Sequence, residues 1–120
     1  MEGATKSEML KKAGRRFKEI REYNGYTQEQ IARYLDVDRT LITKFEKGER
    51  SLSMMALDKA ARLFGCETET IIYGNEYIPL AVAYRAKDLE LADMEVIAKV
   101  QQMALNLRRI KKCLRSEEQE

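Results

Sequence analysis

Between Thr27 and Gly48 the chain reads TQEQIARYLDVDRTLITKFEKG, and that string leaves few options for folding. Thr27-x-x-Gln30 is a capping box, which starts a helix by satisfying two orphan N–H groups reciprocally. Ile31 and Leu35 follow at helical spacing and give one apolar side. Asp36-Val37-Asp38 then breaks the pattern: Val37 is expected to plug the corner and Asp38 to cap the next helix. In that helix, Arg39 to Lys47, Ile42 and Phe45 form the underside. Gly48 stops it, since glycine readily takes left-handed backbone at a helix terminus. Two helices this short cannot be stable alone and must pack on a third surface.

The neighbouring sequence offers that surface. Ser7 can cap a first helix whose Leu10, Ala13, Phe17 and Ile20 recur at three and four, with Asn24-Gly25 ending it. Ser53 can cap a fourth, burying Leu57, Ala60, Ala61 and Phe64 before Gly65. A short fifth helix around Glu69 to Tyr73 offers Ile71 and Ile72. With one proline, six glycines and apolar spacing mostly of three and four, the chain is expected to be all-α.

Gly74-Asn75 marks a break. Asn75 to Ala86 holds Pro79 with Ile78, Leu80, Val82 and Tyr84, and reads as an extended connector. The longest helix is expected from Glu90 to Arg115. In it Val96, Val100, Met103, Leu107, Ile110 and Leu114 are spaced 4, 3, 4, 3, 4, an a/d stripe that Ile97 and Ala104 widen. Either the stripe packs on the chain's own domain or it pairs with a second copy. The expected organisation is a reader domain over 1–74, a connector over 75–89, and a dimerisation helix with an acidic tail over 90–120.

Composition narrows the chemistry. Histidine is absent, which removes the commonest general base and metal ligand. Cys66 and Cys113 are far apart and form no CxxC pair, so both are expected as free thiols. Neither an enzyme nor a cofactor is implied. Apolar runs are too short for a transmembrane helix. Met1 to Lys12 is polar with no apolar h-region, so no signal peptide and a cytoplasmic location are expected. Net charge is only +2. Arg108, Arg109, Lys111, Lys112 and Arg115 form a basic block, which suits the negative end of a helix dipole or, alternatively, phosphate.

The short helix pair is the build of a helix-turn-helix, in which the second helix enters the DNA major groove. Helical geometry places Arg39, Thr40, Thr43 and Lys44 opposite Ile42 and Phe45. Arg and Lys can bond guanine, and Thr can bond a base or touch a thymine methyl. Leu41 is expected to be exposed, where it too can meet a thymine methyl. Gln28 at a helix start, and Lys47, Arg50 and Ser51 after the second helix, are candidate phosphate holders. A plain solvated surface explains each of these singly just as well.

The segment AGRRFKEIREYNGYTQEQIARYLDVDRTLITKFEKGERSLSMMALDKAARLFGCETETII resembles the lambda-repressor-like, XRE-type helix-turn-helix family over roughly 9–73. Arg21, Gly25, Thr27-Gln28, Ile31-Ala32, Leu35, Val37, Ile42, Phe45-Glu46-Lys47-Gly48, Leu57 and Ala61 carry the resemblance. It implies a five-helix DNA-binding domain, followed here by the long C-terminal helix. It also implies that Arg39, Thr40, Thr43 and Lys44 face bases, that Gln28 holds a phosphate, and that Arg21 pairs with Glu46. The sequence departs where the family usually has Pro (Leu52), an apolar residue (Thr68) and a Ser or Thr cap (Asp38). The tail is similar to that of XRE-type regulators partnered with an ImmA/IrrE-like metallopeptidase, through Tyr84-Arg85-Ala86-Lys87, Leu89, Asp93, Ile97 and Asn106. That resemblance implies a dimerising tail and a partner protease.

These readings converge on a homodimeric repressor of a palindromic double-stranded DNA operator. The rival expectation is an antitoxin-like adaptor whose long helix binds a toxin or protease.

Overall fold

The computed structural model describes residues 5–77 and 90–118. Among these residues six helices follow in order: α1 Lys6–Tyr23, α2 Gln28–Leu35, α3 Arg39–Glu46, α4 Met54–Phe64, α5 Thr68–Tyr73 and α6 Leu91–Glu118. The fold is all-α, with five helices around one core and a long sixth laid against α4 and α2. The expected connector features Ile78, Pro79, Leu80, Val82 and Tyr84, and the tail motif from Tyr84 to Leu89, lie outside the described residues.

The core is centred on three rings. Phe17 of α1 meets Phe45 of α3 edge-on at 5.2 Å and Phe64 of α4 at 5.5 Å. Ile31, Ile42, Leu63 and Ile71 complete it, all fully buried. Removing such side chains from water is worth roughly 1.5–3 kcal/mol each. Gly14 lets α1 approach closely: a Cβ there would stand 2.1 Å from the Phe45 carbonyl oxygen.

Helix ends follow local chemistry, with two corrections, at Ser7 and at Asp38. α1 is capped by Thr5, not Ser7, which lies inside the helix. Thr5 Oγ1 accepts from Glu8 N at 3.2 Å, and Glu8 Oε1 accepts from Thr5 N at 3.3 Å. Ser7 has no acid three residues on and cannot close such a box. Thr27 with Gln30, and Ser53 alone, cap α2 and α4. Asp38 occupies the N-cap of α3 but makes no side-chain capping bond.

Departures from the family pattern are accommodated. Leu52 is buried in the core, so it adds packing where a proline would add stiffness. Thr68 donates its hydroxyl to Asp58 of α4, tying the start of α5 to that helix.

The long helix has two apolar sides. Met94, Ile97, Ala98, Gln101 and Leu105 are buried against the five-helix core. Val96, Val100, Met103, Leu107, Ile110 and Leu114 are exposed, between 39% and 65%. At about 100° per residue these two sets lie on roughly opposite faces. Ile97, expected to widen the stripe, instead belongs to the inner face, and Ala104 is half-buried. The inner face is anchored by Gln101 Nε2 donating to Leu63 O at 3.4 Å and by Arg109 pairing with Glu67 at 3.0 Å.

Both cysteines are free. Burial pushes the Cys66 thiol up to about 12, with Glu67 adding to the shift, so Cys66 is held as an inert thiol.

Candidate nucleic-acid interface

The turn between α2 and α3 sets the angle of α3. Asp36 is left-handed (φ 58), an arrangement Asp tolerates better than most side chains. Val37 N–H donates back to Ala32 O at 2.9 Å, closing α2, and its side chain packs on the core. Ile42 and Phe45 then lock α3 onto the domain.

Beneath α3 lies a buried charge pair. Arg21 Nε donates to Glu46 Oε2 at 2.7 Å and Nη2 donates to Oε1 at 3.1 Å. Arg21 Nη1 also donates to Tyr26 O at 2.7 Å, pinning the loop between α1 and α2. Both side chains are nearly sealed from solvent, at 8% and 3% exposure. A bidentate Arg–carboxylate fork is strong and geometrically specific, and it satisfies charges that would be costly alone.

That pair continues outward. Gln28 Nε2 donates to Glu46 Oε1 at 2.9 Å. Gln28 Oε1 accepts from the Thr43 hydroxyl at 3.0 Å. One hydrogen-bonded line thus runs from Arg21 in the core to Thr43 at the edge of the outer face of α3. Gln28 and Thr43, the one expected at a phosphate and the other at a base, are bonded to each other, and both are half-buried.

The remaining candidates are open to solvent. Arg39, Thr40 and Lys44 are exposed on α3, and Lys47, Arg50 and Ser51 are exposed just beyond it. A surface depression brings Thr40, Lys44 and Arg50 together with Asp36 and Asp38. The two carboxylates sit at its α2–α3 end, so the cationic face is bounded on that side. Leu41, expected to be exposed, is half-buried and packs against the core from this depression. Leu41 and Val37 line the same depression and both pack on the core, so the short turn leaves Leu41 partly covered.

Sequence reading missed several residues that hold the face in place. Gly14 lets α1 reach α3. Arg16 Nη1 donates to the Ile71 and Ile72 carbonyls, both at 2.9 Å, closing the end of α5. Tyr77 donates its hydroxyl to Phe64 O at 2.9 Å and accepts from Asn24 Nδ2 at 3.2 Å. None has a local sequence signature, because every one of these partners is more than ten residues away.

Among the described residues, no helix is long and apolar enough to cross a membrane, and no three His, Cys, Asp or Glu side chains form a metal-binding group. A helix-turn-helix family model, HTH_3, matches residues 17–71. No curated protein matches the chain.

Proposed function

From the premise that residues 17–71 form an XRE-type helix-turn-helix DNA-binding domain, we propose that the chain is a sequence-specific transcriptional regulator, a repressor working as a homodimer. The observation that carries the reading is the two-sided α3: Ile42, Phe45 and Glu46 are buried while Arg39, Thr40 and Lys44 are exposed. Arg39, Thr40, Thr43 and Lys44 read base edges in the major groove. Gln28, Lys47, Arg50 and Ser51 hold phosphates on either side and fix the register. Thr43 reaches a base by giving up its bond to Gln28 Oε1, and Gln28 meets phosphate through the second Nε2 hydrogen, the one it does not donate to Glu46.

The reader domains pair through Val96, Val100, Met103, Leu107, Ile110 and Leu114. Two recognition helices held by one dimer grip half-sites about 10–10.5 base pairs apart, or a multiple of that. A bound dimer excludes polymerase by occupying the promoter. The same exposed stripe is what an antitoxin-like adaptor would offer to a toxin or protease, and the state of the isolated protein separates the two. A repressor dimerises by itself, and an adaptor stays monomeric until its partner is supplied.

The test is selection of bound duplexes from a random DNA pool, followed by binding at several salt concentrations. An enriched inverted repeat and a steep loss of affinity with salt support the reading. No enrichment over the input pool contradicts it.

A further inference from the structure

The exposed face of α6 carries information about direction as well as apolarity. Resting on the homodimer reading above, we propose that two copies of α6 pair antiparallel. Val96, Val100 and Met103 then sit against Leu114, Ile110 and Leu107 of the partner subunit.

The first argument is volume. The two valines lie at one end of the stripe, and the larger Leu107, Ile110 and Leu114 lie at the other. In a parallel pair each residue meets its own copy, so two Val–Val layers stand at one end and three layers of larger residues at the other. Interaxial distance depends on the side chains at the contact, so such helices splay. Reversing one helix gives Val–Leu, Val–Ile and Met–Leu layers, repeated symmetrically about the centre. Every layer then has a similar volume, as close packing requires. All six exposed apolar residues are covered, in a–d pairs of the kind an antiparallel coiled coil makes.

The second argument is charge. Residues 108–115 hold five cations and no carboxylate. Arg109 is engaged by Glu67, whereas Lys111, Lys112 and Arg115 are exposed, with Lys111 beside the stripe. A parallel pair sets this block level with its copy, across helices about 8–10 Å apart. The antiparallel pair moves the blocks apart along the axis by roughly 18 Å at 1.5 Å per residue. That exceeds the screening length of about 8–10 Å at ordinary salt. In the antiparallel register Glu95 comes level with Arg115 of the partner subunit, Lys99 with Lys111 of the partner subunit and Asp93 with Glu117 of the partner subunit. The electrostatic gain therefore lies in separating the two basic blocks and in the Glu95–Arg115 approach. Antiparallel pairing also brings the two exposed Asn106 residues together at the two-fold axis.

Cysteine crosslinking reads the orientation. Two variants are made in a Cys113→Ser background, Val100→Cys and Ile110→Cys, one carrying a size tag. Each is first shown by sedimentation to be dimeric. In the antiparallel pair, Val100 and its own copy are about 15 Å apart along the axis. A disulfide needs Cα atoms within about 7 Å, so self-crosslinking is out of reach. Mixing the two variants and oxidising with diamide is expected to give the mixed disulfide, with neither variant crosslinking alone. Self-crosslinked dimers of each variant without the mixed product would overturn the orientation and leave the dimer intact. If wild type and both variants sediment as monomers, the dimer reading itself fails and the orientation falls with it.

Discussion

Arg21 and Glu46 meet fork to fork beneath α3, Nε to Oε2 at 2.7 Å and Nη2 to Oε1 at 3.1 Å, with almost no solvent around either. One charge comes from α1 and the other from the last turn of α3. The pair therefore fixes the tilt of the helix we propose to read DNA. Gln28 bonds the same carboxylate, so the start of α2 is referenced to the same point.

Glu46→Ala leaves the Arg21 guanidinium buried and unpaired. Breaking a buried pair from one side costs about 3–5 kcal/mol. Glu49 is exposed, and Glu49→Ala is expected to change stability by less than about 0.5 kcal/mol. Urea melts of the two variants check this. Equal midpoints would show that Glu46 does not hold α3.

Gly14→Ala tests the approach of α1 to α3. The added methyl would overlap the Phe45 carbonyl, so the helices must separate. Overpacking of this kind costs typically about 1–3 kcal/mol, even though alanine is the better helix former. A variant as stable as wild type by thermal melting would mean that α1 and α3 are not in this contact.

The two faces of α6 predict opposite outcomes for the same chemistry. Leu107→Asp places a charge on the exposed face and is expected to leave the fold intact while abolishing dimerisation. Ile97→Asp places one on the inner face, against the core, and is expected to undock α6 and lower the melting temperature. Sedimentation at micromolar concentration with circular dichroism separates the two. A Leu107→Asp protein that unfolds, or one that remains dimeric, would remove the stripe from the dimer contact.

What could be read from the sequence was local or strongly periodic. The Thr27–Gln30 box, the Ser53 cap and the Gly48 and Gly65 stops each depend on residues within one turn, and each stands in the structure. The Thr5 cap is also marked in the sequence, by Glu8 three residues later, whereas Ser7 has no such partner. The inner face of α6 was not legible. It is made of Met94, Ile97, Ala98, Gln101 and Leu105, a weaker pattern than six large aliphatic and Met side chains on the opposite side. Its buried Gln101 is polar, and its Oε1 has no hydrogen-bond partner among the described residues. At the reading face, the outer residues of α3 followed from the period of the helix. The Gln28–Thr43 bond did not, because it depends on how closely two helices cross.

The most direct test of the account is base discrimination by Arg39. Wild type, Arg39→Ala and Lys47→Ala are titrated by fluorescence anisotropy onto the selected operator and its single-base variants, at several salt concentrations. Arg39→Ala is expected to cost about 1–3 kcal/mol and to lose preference at one base pair in each half-site. Lys47→Ala is expected to weaken all sequences alike and to flatten the salt slope by about 1. An Arg39→Ala protein with unchanged affinity and unchanged base preference would contradict the claim that the outer face of α3 reads DNA.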